Sequence, residues 1–168
     1  MIRLEIATPD EMAQLGRRIA LQLRAGDIVA LNGELGAGKT PLTRGLGAAL
    51  GVRGAVTSPT FVLARTHPRP GGGPPLVHVD AYRLGSAAEL DDLDIDFEAS
   101  IVVVEWAAGM LDGVSDSVLE VSIARPTGAR RPAPEAAEPD DDDDLDGVEP
   151  RRVEIRPIGP RWERHPFA

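Results

Sequence analysis

Ile28-Val29-Ala30-Leu31-Asn32-Gly33-Glu34-Leu35-Gly36-Ala37-Gly38-Lys39-Thr40 joins an apolar run to a glycine-rich turn, and that turn to a helical pattern. Ile28 to Leu31 follows Gly26-Asp27 and suits a short buried strand better than a helix. From Lys39 onward Leu42, Leu46 and Leu50 recur on one helical face, and Gly51 supplies the stop. Between them Gly33 to Thr40 matches G-x-x-x-x-G-K-[ST], a pattern that gains its meaning from a strand before it and a helix after it. The glycines let successive backbone N–H groups turn inward as an anion nest, and the positive end of the helix dipole adds to its field. Gly33, Gly36, Ala37 and Gly38 form the expected nest. Lys39 is expected to reach the β- and γ-phosphates of a nucleotide. Thr40 offers its hydroxyl to magnesium, which prefers hard oxygen ligands and keeps several waters.

Phosphoryl chemistry assisted by magnesium needs a carboxylate near the metal, usually at the end of a neighbouring strand. Two apolar runs end in one: Leu76 to Val79 before Asp80, and Ile101 to Val104 before Glu105. Both acids are candidates at the carboxyl edge of the sheet, where open α/β sheets bind ligands. Thr57-Ser58-Pro59-Thr60-Phe61 is a polar, proline-stiffened loop able to fold over a γ-phosphate, and Trp106 follows Glu105, placed to stack on a base, a partner or the sheet edge.

Around these segments, Thr8-Pro9-Asp10-Glu11 reads as a helix start with Thr8 as N-cap and Glu11 closing a capping box, followed by Met12, Leu15, Ile19 and Leu23 at helical spacing. Ser86 to Glu89 forms a second box ahead of a short helix over Ala88 to Leu93. Phe61 to Arg65 reads as a strand. Val118 to Ile123 alternates with period two, as does Val153 to Ile158 less cleanly; both read as antiparallel additions to one side of the sheet. The expected architecture is α/β, with a P-loop sheet, flanking helices and those added strands.

The 168 residues suffice for one compact domain, and 42% apolar residues can supply its core. No cysteine is present, which excludes disulfides, thiolate zinc sites and catalytic thiols. His67, His78 and His165 have no metal-ligand spacing. The N-terminal segment lacks the basic and apolar regions of a signal peptide, and no apolar run reaches the roughly 20 residues of a membrane helix, so a cytoplasmic protein is expected. The net charge of −9 is mostly local: Pro126 to Pro150 holds nine acids against Arg130 and Arg131, which leaves the remainder near −2. Residues 125–150, rich in Pro, Ala and Asp, read as a disordered insertion, either a solvated loop or an acidic arm for a basic partner. They separate a core at 1–124 from a C-terminal strand and tail at 151–168. Seventeen of the eighteen basic residues are arginine, and the sole lysine is Lys39.

The P-loop, Thr57-Ser58-Pro59-Thr60-Phe61, His78-Val79-Asp80-Ala81-Tyr82-Arg83-Leu84 and Val104-Glu105-Trp106, in that order and spacing, resemble the tRNA threonylcarbamoyladenosine biosynthesis ATPases, the TsaE (YjeE) family. The resemblance covers roughly Met1 to Ile123 and implies ATP and magnesium binding with weak hydrolysis. It further implies a role beside the threonylcarbamoyl-transferase complex that modifies adenosine in tRNAs reading ANN codons. By resemblance Thr40 and Glu105 hold magnesium, Asp80 is the catalytic aspartate and also near the metal, Thr57 belongs to the switch-like loop, and the segment near Glu11 approaches the adenine. Lys39, Asp80 and Glu105 are then the catalytic set. One departure concerns affinity: Pro41 stands where the family has Thr or Ser, and it has neither N–H nor hydroxyl for the α-phosphate.

Two other functions remain open on the residues alone. A small-molecule kinase needs an acceptor pocket and an arginine lid, and no arginine-rich lid is evident. A nucleotide-gated binding module would be read by its partner with little turnover. No N-K-x-D segment points to guanine, and a near-neutral core without a basic stripe implies that tRNA is met through the partner complex.

Overall fold

A computed structural model describes residues 1–54, 56, 63–126, 149–164 and 167. The expected loop Thr57 to Phe61 and most of the acidic insertion lie outside them. The chain runs β1 (Ile2–Ile6), α1 (Pro9–Ala20), β2 (Ile28–Gly33), α2 (Lys39–Leu50), β3 (Ala64–His67), β4 (Leu76–Asp80), α3 (Ala87–Asp91), β5 (Ile101–Glu105), β6 (Val118–Ala124), β7 (Arg151–Ile158) and α4 (Pro160–Arg164).

One seven-stranded sheet takes the order β1-β7-β6-β2-β5-β4-β3. Its centre, β6-β2-β5-β4, is parallel, and β2, β4 and β5 are buried on both faces, which is why they read as unbroken apolar runs. Val118 to Ile123 was expected to be antiparallel; it pairs parallel with β2, while β7 and β1 supply the antiparallel additions on that side. A further antiparallel strand, β3, lies on the opposite edge against β4. Period-two alternation reports which face a residue takes and is silent on strand direction.

Alternate side chains divide the core. Val29, Leu31, Val103, Val121 and Ile155 face α1, α2 and Trp162, whereas Ile28, Ala30, Val79, Val102 and Val104 face Leu84 and Leu90. Helices α1 and α2 meet closely because each offers a glycine: a Cβ on Gly16 would strike the carbonyl of Leu42, and one on Gly45 that of Ala13. That contact fixes α2, and with it the turn at its start. At the other end of the sheet Arg161 donates from Nε to Asp27 Oδ1 and from Nη2 to Oδ2, both at 3.0 Å, with Asp27 4% exposed. This ion pair ties α4 to the residue before β2.

Candidate functional site

The glycine-rich turn leaves the carboxyl end of β2 at the centre of the sheet. Gly36 and Gly38 have φ of 73° and 116°, the left-handed region that side chains disfavour. Gly33 answers a different need, since a Cβ there would lie 2.9 Å from Ile123 O on β6. Gly38 caps α2 without a side-chain hydrogen bond, so the first-turn N–H groups have no competing side chain and stay available to an anion. Ala37, expected in the nest, donates its N–H within the turn to Glu34 O at 3.0 Å and is buried.

Lys39 donates from Nζ to Gly33 O at 2.8 Å and to Glu34 O at 3.0 Å, and lies 4.4 Å from the centre of the Trp106 ring. Burial lowers its pKa from the ordinary 10.5, against the opposing pull of Glu105 and then Asp80. Those two acids are register partners at the ends of β5 and β4, 3% and 9% exposed. Lys39, Asp80 and Glu105 are thus brought together, and Thr40 follows on the first turn of α2. Asp80 Oδ1 accepts from the N–H of Tyr82 at 2.9 Å, which fixes the carboxylate at the strand end.

His78 has a role that its place in the sequence motif did not disclose. Its Nε2 lies 2.9 Å from Glu105 Oε1, with both side chains buried. A carboxylate only accepts, so Nε2 is the donor; Nδ1 has no partner among the described residues. The imidazole therefore orients Glu105. The available signal was a polar ring inside an apolar run that reaches Asp80. Trp106 also has a defined place: φ is +57°, its N–H donates to Leu31 O at 3.0 Å, and the exposed Tyr82 ring stands 5.1 Å away, centre to centre.

Glu11 is less free than expected. It receives the Thr8 cap through its N–H at 3.1 Å, and its carboxylate turns back to accept from Ala7 N–H at 2.7 Å. The neighbouring segment Ile6 to Pro9 nevertheless lines a shallow cleft of about 50 Å³ whose other wall is Ala37, Gly38 and Pro41. Hard oxygens from Thr40, Glu105 and Asp80 fit magnesium. No group of three or more His, Cys, Asp or Glu residues able to hold a metal occurs among the described residues.

The family model for the threonylcarbamoyl adenosine biosynthesis protein TsaE matches residues 6–132. The chain belongs to the TsaE family. It is similar to the tRNA threonylcarbamoyladenosine biosynthesis protein TsaE of Streptomyces coelicolor, with 53% identity over 154 residues, 90% of this chain and 93% of that relative. The TsaE protein of Bacillus subtilis is 32% identical over 125 residues, 74% of this chain and 78% of the relative. Among solved structures, Bacillus subtilis YdiB matches with a TM-score of 0.67 and 26% identity, over 97% of this chain and 89% of that one. The family assignment and the P-loop fold therefore agree, and TsaE proteins are P-loop proteins of the ATPase type. No helix among the described residues is long and apolar enough to cross a membrane.

Proposed function

We propose that this TsaE-family chain hydrolyses ATP as an accessory to threonylcarbamoylation of adenosine in tRNAs reading ANN codons, acting on the transferase complex and meeting tRNA through it. The observation that carries the reading is the meeting of the sole lysine with two strand-end carboxylates beneath an uncapped helix N-terminus. Lys39 and the nest bind the β- and γ-phosphates, and Thr40 and Glu105 hold magnesium, with Asp80 close to it. Magnesium, when bound, would supply the positive charge that offsets what develops on the phosphate. His78 engages Oε1 of Glu105 and so would orient the carboxylate that holds the ion. Asp80, fixed by the Tyr82 N–H, orients the attacking water. The base and ribose enter the cleft between Ile6 to Pro9 and Pro41.

A second reading, a nucleotide-gated module with little turnover, is favoured by Pro41, which weakens the α-phosphate end of an otherwise complete P-loop. Calorimetric titration of ATP, ADP and GTP with magnesium, on the wild-type chain and Lys39→Ala, tests the nucleotide site. Adenine-selective binding lost in Lys39→Ala supports it, and failure of the wild type to bind at millimolar concentration overturns it. Multiple-turnover phosphate release, with and without the transferase complex, then separates an ATPase from a gated module.

A further inference from the structure

Pro41 removes an N–H from the part of the P-loop that meets the α-phosphate, and its ring offers no hydroxyl. The proline is buried in the wall of the cleft described above, and the cleft is closed on the far side by Arg151. This arginine opens β7, between β1 and β6, where it pairs with Ile6, so its backbone is fixed by the sheet. Only 7% of the residue is exposed.

Among the described residues its charge meets one acid, Glu149. Nη1 donates to the carbonyl of Glu149 at 2.9 Å, and the Glu149 carboxylate stands 3.6 Å away with 42% of that side chain exposed. A second cation is its neighbour: Ala124 pairs with Arg152, so Arg125 and Arg151 leave the β6–β7 ladder side by side. Burial, then Arg125, lower the Arg151 pKa against the weaker pull of Glu149. Arg125 donates from Nη2 to Gly36 O of the P-loop at 3.2 Å, and its buried Nε has no partner among the described residues. Among the described residues, two guanidinium groups thus converge on the rim of a phosphate cradle, with one partly exposed carboxylate beside Arg151. Holding a single carbonyl two residues away does not require burying one cation beside another. An anion in the cleft would add opposite charge beside the buried guanidinium, whose five donors in a planar fork match phosphate oxygens.

We propose that Arg151 binds the α-phosphate of the nucleotide and replaces the hydrogen bonds that Pro41 cannot give. The inference rests on the nucleotide-site reading and goes beyond it to a residue outside the P-loop. ADP with magnesium is titrated calorimetrically into the wild type, Arg151→Gln, Pro41→Thr and the double variant, each checked by a urea melt. Arg151→Gln weakens ADP binding about tenfold to a hundredfold in the wild-type background, the value of a hydrogen bond to a charged group. In the Pro41→Thr background, where the P-loop itself supplies the α-phosphate contacts, the same change costs about twofold, and this coupling is what a purely structural arginine would not produce. An equal loss in both backgrounds, or no loss, overturns the inference while the nucleotide site stands. If Arg151→Gln fails to fold, Pro41→Thr alone decides: a gain of about twofold supports compensation, and a gain of about tenfold or more overturns it. Absence of ADP binding in both wild type and Pro41→Thr removes the nucleotide site itself, and the inference with it.

Discussion

Replacing His78 by leucine keeps most of the buried volume and deletes the donor that holds Glu105. Hydrogen bonds to charged groups contribute about 1.5–3 kcal/mol. The Glu105 side chain is only 4% exposed, so water cannot easily replace the lost partner. Freed of that contact, the carboxylate gains rotamers that do not face the metal, and changes of this kind weaken metal affinity roughly tenfold to a hundredfold. Calorimetric ADP titrations at stepped magnesium concentrations read this directly. The half-saturating magnesium concentration in His78→Leu rises by about one to two orders of magnitude, while binding of ADP without metal stays near wild type. His78→Gln, which retains an N–H donor of comparable reach, recovers part of the loss. Without nucleotide or metal, His78→Leu also unfolds at lower urea, by about 1–3 kcal/mol, because a buried carboxylate has lost its partner. An unchanged magnesium dependence in a folded His78→Leu protein would refute the orienting role.

Three further changes probe the frame of the site. Lys39→Met abolishes phosphate binding yet stabilises the nucleotide-free chain by about 1 kcal/mol at pH 7, as removal of a desolvated functional cation commonly does. Because burial lowers the lysine pKa below 10.5, the unfolded chain holds more protons as pH approaches that value, so wild-type stability rises and the gap to Lys39→Met closes in urea melts at alkaline pH. Gly45→Ala gains helix propensity of about 1 kcal/mol, but its methyl group meets the backbone of Ala13; urea melts show a net loss of about 2 kcal/mol, and ADP affinity falls with the displaced α2. Arg161→Ala strands Asp27 as a buried unpaired acid and costs about 3–5 kcal/mol by thermal melt, with a red shift of Trp162 fluorescence as α4 comes away.

What the sequence disclosed was whatever a few adjacent residues decide. Thr8 and Ser86 cap their helices, Gly51 ends α2 in the left-handed region, and the apolar runs before Asp80 and Glu105 are strands at the expected places. Strand β1 had a usable signal, with Ile2, Leu4 and Ile6 alternating against Arg3 and Glu5, but five residues at a chain end also suit a loop. The direction of β6 depends on where its connection travels, and no residue within Val118 to Ala124 encodes that. His78 meets Glu105 only because β4 and β5 lie side by side, and Arg125 meets Arg151 only because β6 pairs with β7. Such contacts come from register, and a reading confined to one segment at a time does not reach them.

The solitary lysine has a use outside phosphate chemistry. Apart from the α-amino group of Met1, Lys39 supplies the one amine in the chain, and burial keeps it more often neutral, hence nucleophilic, than an exposed lysine. An amine-directed electrophile therefore finds one internal target. Mass spectrometry of the intact chain would count its modification as one step beyond that of the Met1 amine, and a ligand over Lys39 would slow that step. Occupancy of the cradle then becomes a stoichiometry measurable without a fluorophore, a radiolabel or a coupled assay.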